Sequence, residues 1–360
     1  MRGWEKNVRR PAPYVPGEQP KEKNIIKLNT NENPYPPAPG VREALRTMDP
    51  ADFRKYPDPA ASLLVEAIAA DRGFSPEEVF VGVGSDDVLA MAFLTFFNSS
   101  KPILFPDITY SFYDVWAELF HIPYECQPLD LDFRIRKEDY RKENGGIVFP
   151  NPNAPTGLLL PLEEVEEIIR ENQDCVVIVD EAYIDFGGRS AAELIPRFEN
   201  LLVVQTFSKS RSMAGMRIGY ALGNRELIRC LNDVKYSFNS YTMNEAALRL
   251  GKAAVEDRAY FRDTCEKIIS TREKAKRRLT ELGFDFPDSM ANFLFARHRT
   301  CPAETLFQAL REAGIYVRYF KKPRISDYLR ITVGTEEEME RLFAFLESYL
   351  SADSEREEKR

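Results

Sequence analysis

Lys209 stands in Thr206-Phe207-Ser208-Lys209-Ser210, directly behind the apolar run Leu201–Gln205, and Ala214-Gly215-Met216-Arg217 follows. In an open α/β sheet, ligands collect beyond the carboxyl ends of the strands. A lysine at such an end, flanked by hydroxyls and followed by a guanidinium, suits a nucleophilic amine beside an anion site. A second apolar run, Val177-Ile178-Val179, ends at Asp180, with Glu181 and Tyr183 behind it. The interval from Asp180 to Lys209 holds one crossover and one strand, which puts the two at neighbouring strand ends. A carboxylate there can pair with a cationic ring nitrogen, and Tyr183 can donate to an oxygen. Asp180 and Glu181 also suit a magnesium ion, but the set of ligands is incomplete.

Two further stretches have the same placement. In Val81-Gly82-Val83-Gly84-Ser85-Asp86-Asp87, glycines between a strand and a helix let backbone N–H groups approach a phosphate. Position 87 is Asp, so the third glycine of the dinucleotide fingerprint is missing, as is the Gly-Lys-Ser/Thr of a P-loop. One phosphate is the expected load. Asn151-Pro152-Asn153-Ala154-Pro155-Thr156-Gly157 is a rigid loop with amide donors, and a cis bond before Pro155 is open to it. Each stretch alone has a plain reading as a surface lysine, a helix cap or a turn. Together they supply an amine, a carboxylate, a phosphate cradle and donors for a ring hydroxyl, the parts a pyridoxal phosphate enzyme needs.

The surrounding pattern supplies elements to hold them. Short apolar strands are expected at Val79–Val83, Pro102–Phe105, Gly146–Phe149, Cys175–Val179, Leu201–Gln205 and Arg217–Leu222. Helices between them are expected at Ala61–Arg72, Asp86–Phe97, Tyr110–Phe120 and Leu162–Asn172. Buried strands alternating with helices mean a mostly parallel sheet with helices on both faces. From Met243 the texture changes to long helices, Met243–Val255 and Tyr260–Leu282, then strand, helix, strand and helix to Leu350. Thr335 and Glu338 have the spacing of a capping box. The expected domains are an arm with a small-domain segment (1–45), a large domain (46–242), a small α+β domain (243–350) and a solvated tail (351–360). Eight prolines crowd Arg10–Gly40, which excludes regular helix and central strand there.

Composition narrows the class. The chain has 360 residues, 44% hydrophobic and 29% charged, so it can bury a large core. A net charge of −8 gives no overall cationic field for nucleic acid or an anionic membrane. The apolar stretches are too short to span a bilayer. Five scattered cysteines without a C-x-x-C pair read as reduced thiols in the cytoplasm. Two histidines, His121 and His298, argue against a His-based metal site or triad, so no metal is expected.

The stretches Leu28–Tyr35, Lys55-Tyr56-Pro57, Gly82–Val88, Thr109-Tyr110-Ser111, Asn151–Gly157, Asp180–Tyr183, Ser208–Arg217 and Leu329–Thr335 carry a resemblance. In that order they resemble the fold-type I, pyridoxal phosphate-dependent class I/II aminotransferases, and within them the histidinol-phosphate aminotransferase family. The resemblance implies a seven-stranded large domain and a smaller α+β domain. It implies transfer of an amino group between L-histidinol phosphate or imidazole-acetol phosphate and glutamate or 2-oxoglutarate, in histidine biosynthesis. It implies that Lys209 bonds the cofactor covalently and then moves a proton. Asp180 would pair with the ring nitrogen, Tyr183 with the ring oxygen, and Tyr110 would stack on the ring. Gly84, Ser85, Asp86, Thr206, Ser208 and Arg217 would hold the phosphate. Tyr56 would reach the cofactor phosphate of a second subunit, which implies a homodimer with shared sites. Arg330 would grip the α-carboxylate of glutamate, with Tyr14, Asn33 and Arg318 around the second substrate. One departure stands out: the family often has Asn directly before Pro-Thr-Gly, and here that position is Ala154. Either Asn153 takes over its contact with the ring oxygen through a small backbone shift, which is the expectation, or Tyr183 alone holds that oxygen. An aromatic amino acid aminotransferase or an L-threonine-phosphate decarboxylase remains the alternative. A nicotinamide-dependent oxidoreductase and a non-catalytic scaffold are the rivals from other classes.

Overall fold

The computed structural model describes residues 2–22 and 24–357. After the arm and strand β1 (Ile26–Lys27) come helices α1 (Pro39–Arg46) and α2 (Ser62–Arg72). The large domain continues with β2 (Val79–Gly82), α3 (Ser85–Phe96), β3 (Ile103–Pro106), α4 (Tyr113–Phe120) and β4 (Tyr124–Gln127). Next are β5 (Gly146–Pro150), α5 (Leu162–Glu171), β6 (Val177–Asp180), β7 (Leu201–Thr206), β8 (Gly219–Gly223) and α6 (Arg225–Phe238). Helices α7 (Glu245–Glu256) and α8 (Arg258–Glu281) lead to β9 (Phe284–Asp285), β10 (Phe293–His298), α9 (Ala303–Glu312), β11 (Ile315–Tyr316), β12 (Arg318–Tyr319), β13 (Leu329–Thr332) and α10 (Glu336–Glu357).

Seven strands form the main sheet in the order β2-β8-β7-β6-β5-β3-β4, all parallel except β8. Its strands are buried on both faces, as their unbroken apolar runs require. Along β7, Leu201 and Val203 pack into one core with α2, α5 and α7, while Leu202 and Val204 pack into the other with α3, α4 and α6. Leu89 and Phe93 of α3 are fully buried, and such side chains each contribute about 2 kcal/mol. Because β8 runs against its neighbours, its amino end lies at the edge where the other strands finish. The register aligns Thr206, Gly219 and Gly82 there.

The small domain is a four-stranded antiparallel sheet, β12-β13-β10-β9, backed by α8, α9 and α10. Strand β1 pairs in parallel with β11, so the chain's first strand belongs to this domain. The capping box forms: Thr335 N donates to Glu338 Oε2 at 2.8 Å, and Glu338 N donates to Thr335 Oγ1 at 3.2 Å. Among the described residues, no helix is long and apolar enough to cross a membrane.

The packing moves the expected domain borders. Ala38 and Val41 near α1, and Leu248 and Val255 of α7, pack into the large-domain core instead of the small domain. The proline-rich stretch is not wholly irregular, because Pro39 opens α1, where a missing N–H costs nothing. Helix α10 runs past Ser351 to Glu357, where a solvated tail was expected; residues 358–360 lie outside the described residues. Strand β4 and helix α6 were not anticipated. The first is an edge strand with a mostly exposed sequence, Tyr124-Glu125-Cys126-Gln127, and offers no apolar signal.

Candidate active site

The site is built at the edge where β6 and β7 end. Asp180 is the last residue of β6, paired in register with Val204 of β7. Lys209 follows β7 in a turn and enters the same cavity, of about 240 Å³, as Asp180, Tyr183, Tyr110, Ala154 and Arg217. Asp180 is 4% exposed, and burial pushes its carboxyl up to about 7. Tyr113 Oη donates to its Oδ2 at 2.9 Å, and Ala182 N donates to Oδ1 at 3.3 Å. The carboxylate is therefore buried, with two donors and no cationic side chain bonded to it. Lys209 Nζ donates to the backbone oxygen of Thr30 at 2.9 Å. Burial, and after it the positive field of Arg330, pulls this amine down to about 8. Such a lysine is a competent nucleophile near neutral pH.

The anion cradle lies to one side. Gly84 has φ +83°, and a Cβ there would stand 2.5 Å from the Arg217 guanidinium. Opposite it, a Cβ on Gly219 would stand 2.3 Å from the backbone of Gly84. Only glycine lets these backbones and the guanidinium meet. Helix α3 starts here with no side-chain cap, leaving the amides at Ser85 and Asp86 for a ligand. Thr206 Oγ1 donates to Ser208 Oγ at 3.0 Å, and Arg217 Nη1 lies 3.5 Å from Ser208 Oγ. The Asp86 side chain bridges Arg217 Nη2, at 3.0 Å, and Tyr110 Oη, at 2.7 Å.

A second chamber, of about 370 Å³, adjoins the first and includes Tyr14, Asn29, Tyr110, Lys209, Arg318 and Arg330 in its wall. Arg330 lies in β13 over the faces of Phe293 and Phe320, at 5.4 and 5.6 Å. Its Nη2 donates to Asn29 O at 2.9 Å, while its buried Nε has no hydrogen-bond partner among the described residues. Burial lowers the affinity of this guanidinium for its proton. A buried cation with an unused donor and no carboxylate bonded to it is built for an anionic ligand. Arg318 reaches the arm through Val15 O at 3.3 Å, and Tyr14 stacks on Phe112 at 4.2 Å. The arm is thereby laid across the chamber.

Two expected contacts are corrected. Asn153 does not face the cavity. Its Nδ2 donates to Ile108 O at 3.0 Å and Thr156 Oγ1 at 3.2 Å, and Thr109 donates to its Oδ1. The side chain is spent on bracing the loop, and Ala154 lines the cavity instead. Both Pro152 and Pro155 follow cis peptide bonds. Asn33 also turns away from the substrate chamber. Its Nδ2 donates to the backbone oxygens of Lys209 and Ser210, at 3.0 and 3.2 Å, so it holds the lysine turn. Tyr56, expected to serve a second subunit's site, is 82% exposed and stacks on Tyr241 at 4.7 Å. Tyr113, Asn31 and the carbonyl of Thr30 were missed by the sequence reading. Tyr113 lay inside the expected helix Tyr110–Phe120 with nothing to single it out, and a carbonyl has no sequence signal.

Comparison with known proteins follows the same lines. The family model for aminotransferase class I and II matches residues 23–346. Histidinol-phosphate aminotransferase 1 of Hydrogenovibrio crunogenus is 54% identical over 351 residues, covering 98% of this chain and 99% of the relative. Histidinol-phosphate aminotransferase of Lactococcus lactis subsp. cremoris is 50% identical over 347 residues, covering 96% and 98%. Among solved structures, histidinol-phosphate aminotransferase from Sinorhizobium meliloti, in complex with pyridoxal-5'-phosphate, matches with TM-score 0.82 and 24% identity, covering 91% of each chain. That from Clostridium acetobutylicum matches with TM-score 0.83 and 21% identity, covering 91% of this chain and 100% of the other.

Proposed function

The chain belongs to the aminotransferase class I and II family, and we propose that it moves an amino group between L-histidinol phosphate and 2-oxoglutarate, with pyridoxal 5'-phosphate as cofactor. The observation that carries this is the convergence of Lys209, Asp180 and the Gly84–Arg217 cradle on one cavity, with Arg330, to which no carboxylate is bonded, in the next. The residues fit the cofactor: a cradle that only glycines allow, a buried carboxylate without a bonded cation, and a depressed lysine amine. When bound, the cofactor withdraws electrons from the α-carbon of the amino substrate.

The chain's own residues do the rest. The α3 amides, Thr206, Ser208 and Arg217 would hold the cofactor's phosphate. Asp180 keeps a proton on the ring nitrogen by pairing with it, and the pairing stabilises its own ionised form. Tyr183 would donate a hydrogen bond to the ring oxygen, and Tyr110 would cover the ring face. Lys209 would hold the cofactor at rest and, once freed, would carry the proton from the substrate α-carbon to the cofactor carbon that the lysine had occupied. Arg330 would receive the glutamate α-carboxylate through its guanidinium. Tyr14 and Arg318 take the phosphorylated substrate beneath the arm. A homodimer would complete the site: Tyr56, exposed and stacked on the exposed Tyr241, would project to the phosphate site of a second copy. Reduced cysteines suit a cytoplasmic setting.

Product analysis tests the reading. With 2-oxoglutarate as acceptor, histidinol phosphate is expected to give glutamate with a higher kcat/KM than any aromatic amino acid. Faster turnover of phenylalanine or tyrosine would make it an aromatic aminotransferase. Release of carbon dioxide from threonine phosphate would make it a decarboxylase.

A further inference from the structure

We propose that Asn31 is a positioning residue that aims the proton of Tyr183 into the cavity, through a hydrogen-bond chain anchored on Thr332 of the small domain. Asn31 is 1% exposed. Its backbone N–H donates to Thr332 Oγ1 at 3.0 Å, and Thr332 Oγ1 lies 3.0 Å from Asn31 Oδ1. On the other side, Asn31 Nδ2 donates to Tyr183 Oη at 3.0 Å. Asn292 Nδ2 donates to the Asn31 carbonyl at 3.0 Å, which pins the residue from below.

Counting protons gives the chain a direction. A hydroxyl has one proton to give. The Thr332 oxygen accepts the Asn31 N–H and gives its own proton to Asn31 Oδ1; with the amide flipped, this buried hydroxyl would take two donors and its proton would lose its one acceptor among the described residues. That contact orients the amide, whose oxygen and nitrogen are otherwise interchangeable. With Oδ1 held on Thr332, Nδ2 faces Tyr183, and an amide nitrogen only donates. Tyr183 Oη must therefore accept from Asn31, and its single proton is left for the cavity. The flipped amide would present Oδ1 to the phenol and take that proton away. The ring itself is held edge-on against Phe293 of β10, with centroids 5.1 Å apart and planes at 84°. Small-domain residues thus fix both the position of the phenol and the direction of its proton.

The direction matters because no amide of the Asn151–Gly157 loop faces the cavity. Asn151 donates to Leu160 O at 3.0 Å, Asn153 is turned away, and Ala154 has no donor. Charged and titratable groups around the phenol are Asp180, Asp86 and Arg330, with Lys209 Nζ 5.8 Å from its ring centre. The bland explanation of Asn31 is its backbone: φ is +55°, a conformation where Asn is tolerated. Glycine satisfies that backbone equally well, so the two explanations separate.

The inference rests on Tyr183 donating to the cofactor's ring oxygen. The test is the pH at which the visible absorption of the cofactor-loaded protein changes. A proton donated to an anionic ring oxygen favours the more negative form, so losing it moves the change to higher pH. Tyr183→Phe is expected to raise the midpoint by about one pH unit, the loss of one hydrogen bond to a charged atom. Asn31→Gly removes the donor that orients the phenol but takes no proton from it, and is expected to raise the midpoint in the same direction by less. Asn31→Asp, nearly isosteric, accepts the phenol's proton and is expected to raise it by an amount similar to that of Tyr183→Phe; it stands in should the glycine variant not fold. Thr332→Val, which frees the amide to flip, is expected to give a smaller rise. An unmoved midpoint in Tyr183→Phe overturns the reading of Tyr183 and this inference with it. A rise in Tyr183→Phe but none in Asn31→Gly and Asn31→Asp overturns the positioning role alone.

Discussion

Replacing Asp180 by Asn is expected to stabilise the cofactor-free protein at neutral pH and to cripple the loaded enzyme. Burial pushes the Asp180 carboxyl up to about 7, against 3.8 for a free side chain. Its pKa is raised on folding, so the unfolded chain releases this proton first. Stability from this group is intact below pH 4, falls as pH rises towards 7, and stays low above it. One pH unit corresponds to about 1.4 kcal/mol, so keeping Asp180 ionised costs the folded, cofactor-free protein on the order of 4 kcal/mol. Asn carries no charge and keeps an oxygen for the Tyr113 hydroxyl, so it escapes this cost. Glu181, pushed up to about 7 by the same cause, is present in both proteins and cancels. Thermal melts of the two cofactor-free proteins are expected to coincide near pH 4 and to separate by several degrees at pH 8, Asn being the more stable. With cofactor bound the order reverses, because a buried charge pair is broken. A loss of about 3 kcal/mol implies a fall of roughly a hundredfold in kcat. Coincident melts at pH 8, or an unchanged single-turnover rate, would refute the argument that Asp180 waits in a buried site for a cationic ring.

Lys209 makes cofactor uptake pH-dependent. Only the neutral amine attacks an aldehyde, so the rate of colour formation in cofactor-free protein is expected to rise tenfold per pH unit and to level off near pH 8; a midpoint above 10 would mean an ordinary exposed lysine. Arg330→Gln is expected to lower kcat/KM for glutamate by about a hundredfold. Its melting temperature is expected to hold or rise, since no carboxylate is bonded to the buried guanidinium; unchanged glutamate kinetics would remove Arg330 from substrate binding. For Tyr56, subunits carrying Lys209→Ala and Tyr56→Ala are co-refolded. Hybrid dimers regain activity above either parent only if Tyr56 acts on the partner's site, and a monomer in equilibrium sedimentation would end the idea sooner.

Asp180, Lys209 and the Gly82–Ser85 turn were legible because each is local. An apolar run of four to six residues marks a strand buried on both faces, and whatever follows it lies at the ligand-binding edge. The order of the strands and the single antiparallel β8 were not legible, since pairing joins residues far apart in the chain. Neither was the division of labour between close neighbours. Asn31 and Asn33 are the same residue type, and the expectation fell on Asn33. The positive φ at Asn31 sends its amide to Tyr183 in the cavity, while Asn33 drops to the carbonyls of Lys209 and Ser210. Asn153 and Ala154 divide in the same way, the amide bracing the loop and the methyl lining the site. The amino-acid sequence alone determined which chemical groups are present and which strand ends carry them, because burial and periodicity act over a few residues. Only the tertiary structure decided which of them meet. The hydrogen bonds that orient Tyr183 link residues 31, 183 and 332, and nothing at any one of those positions signals the other two.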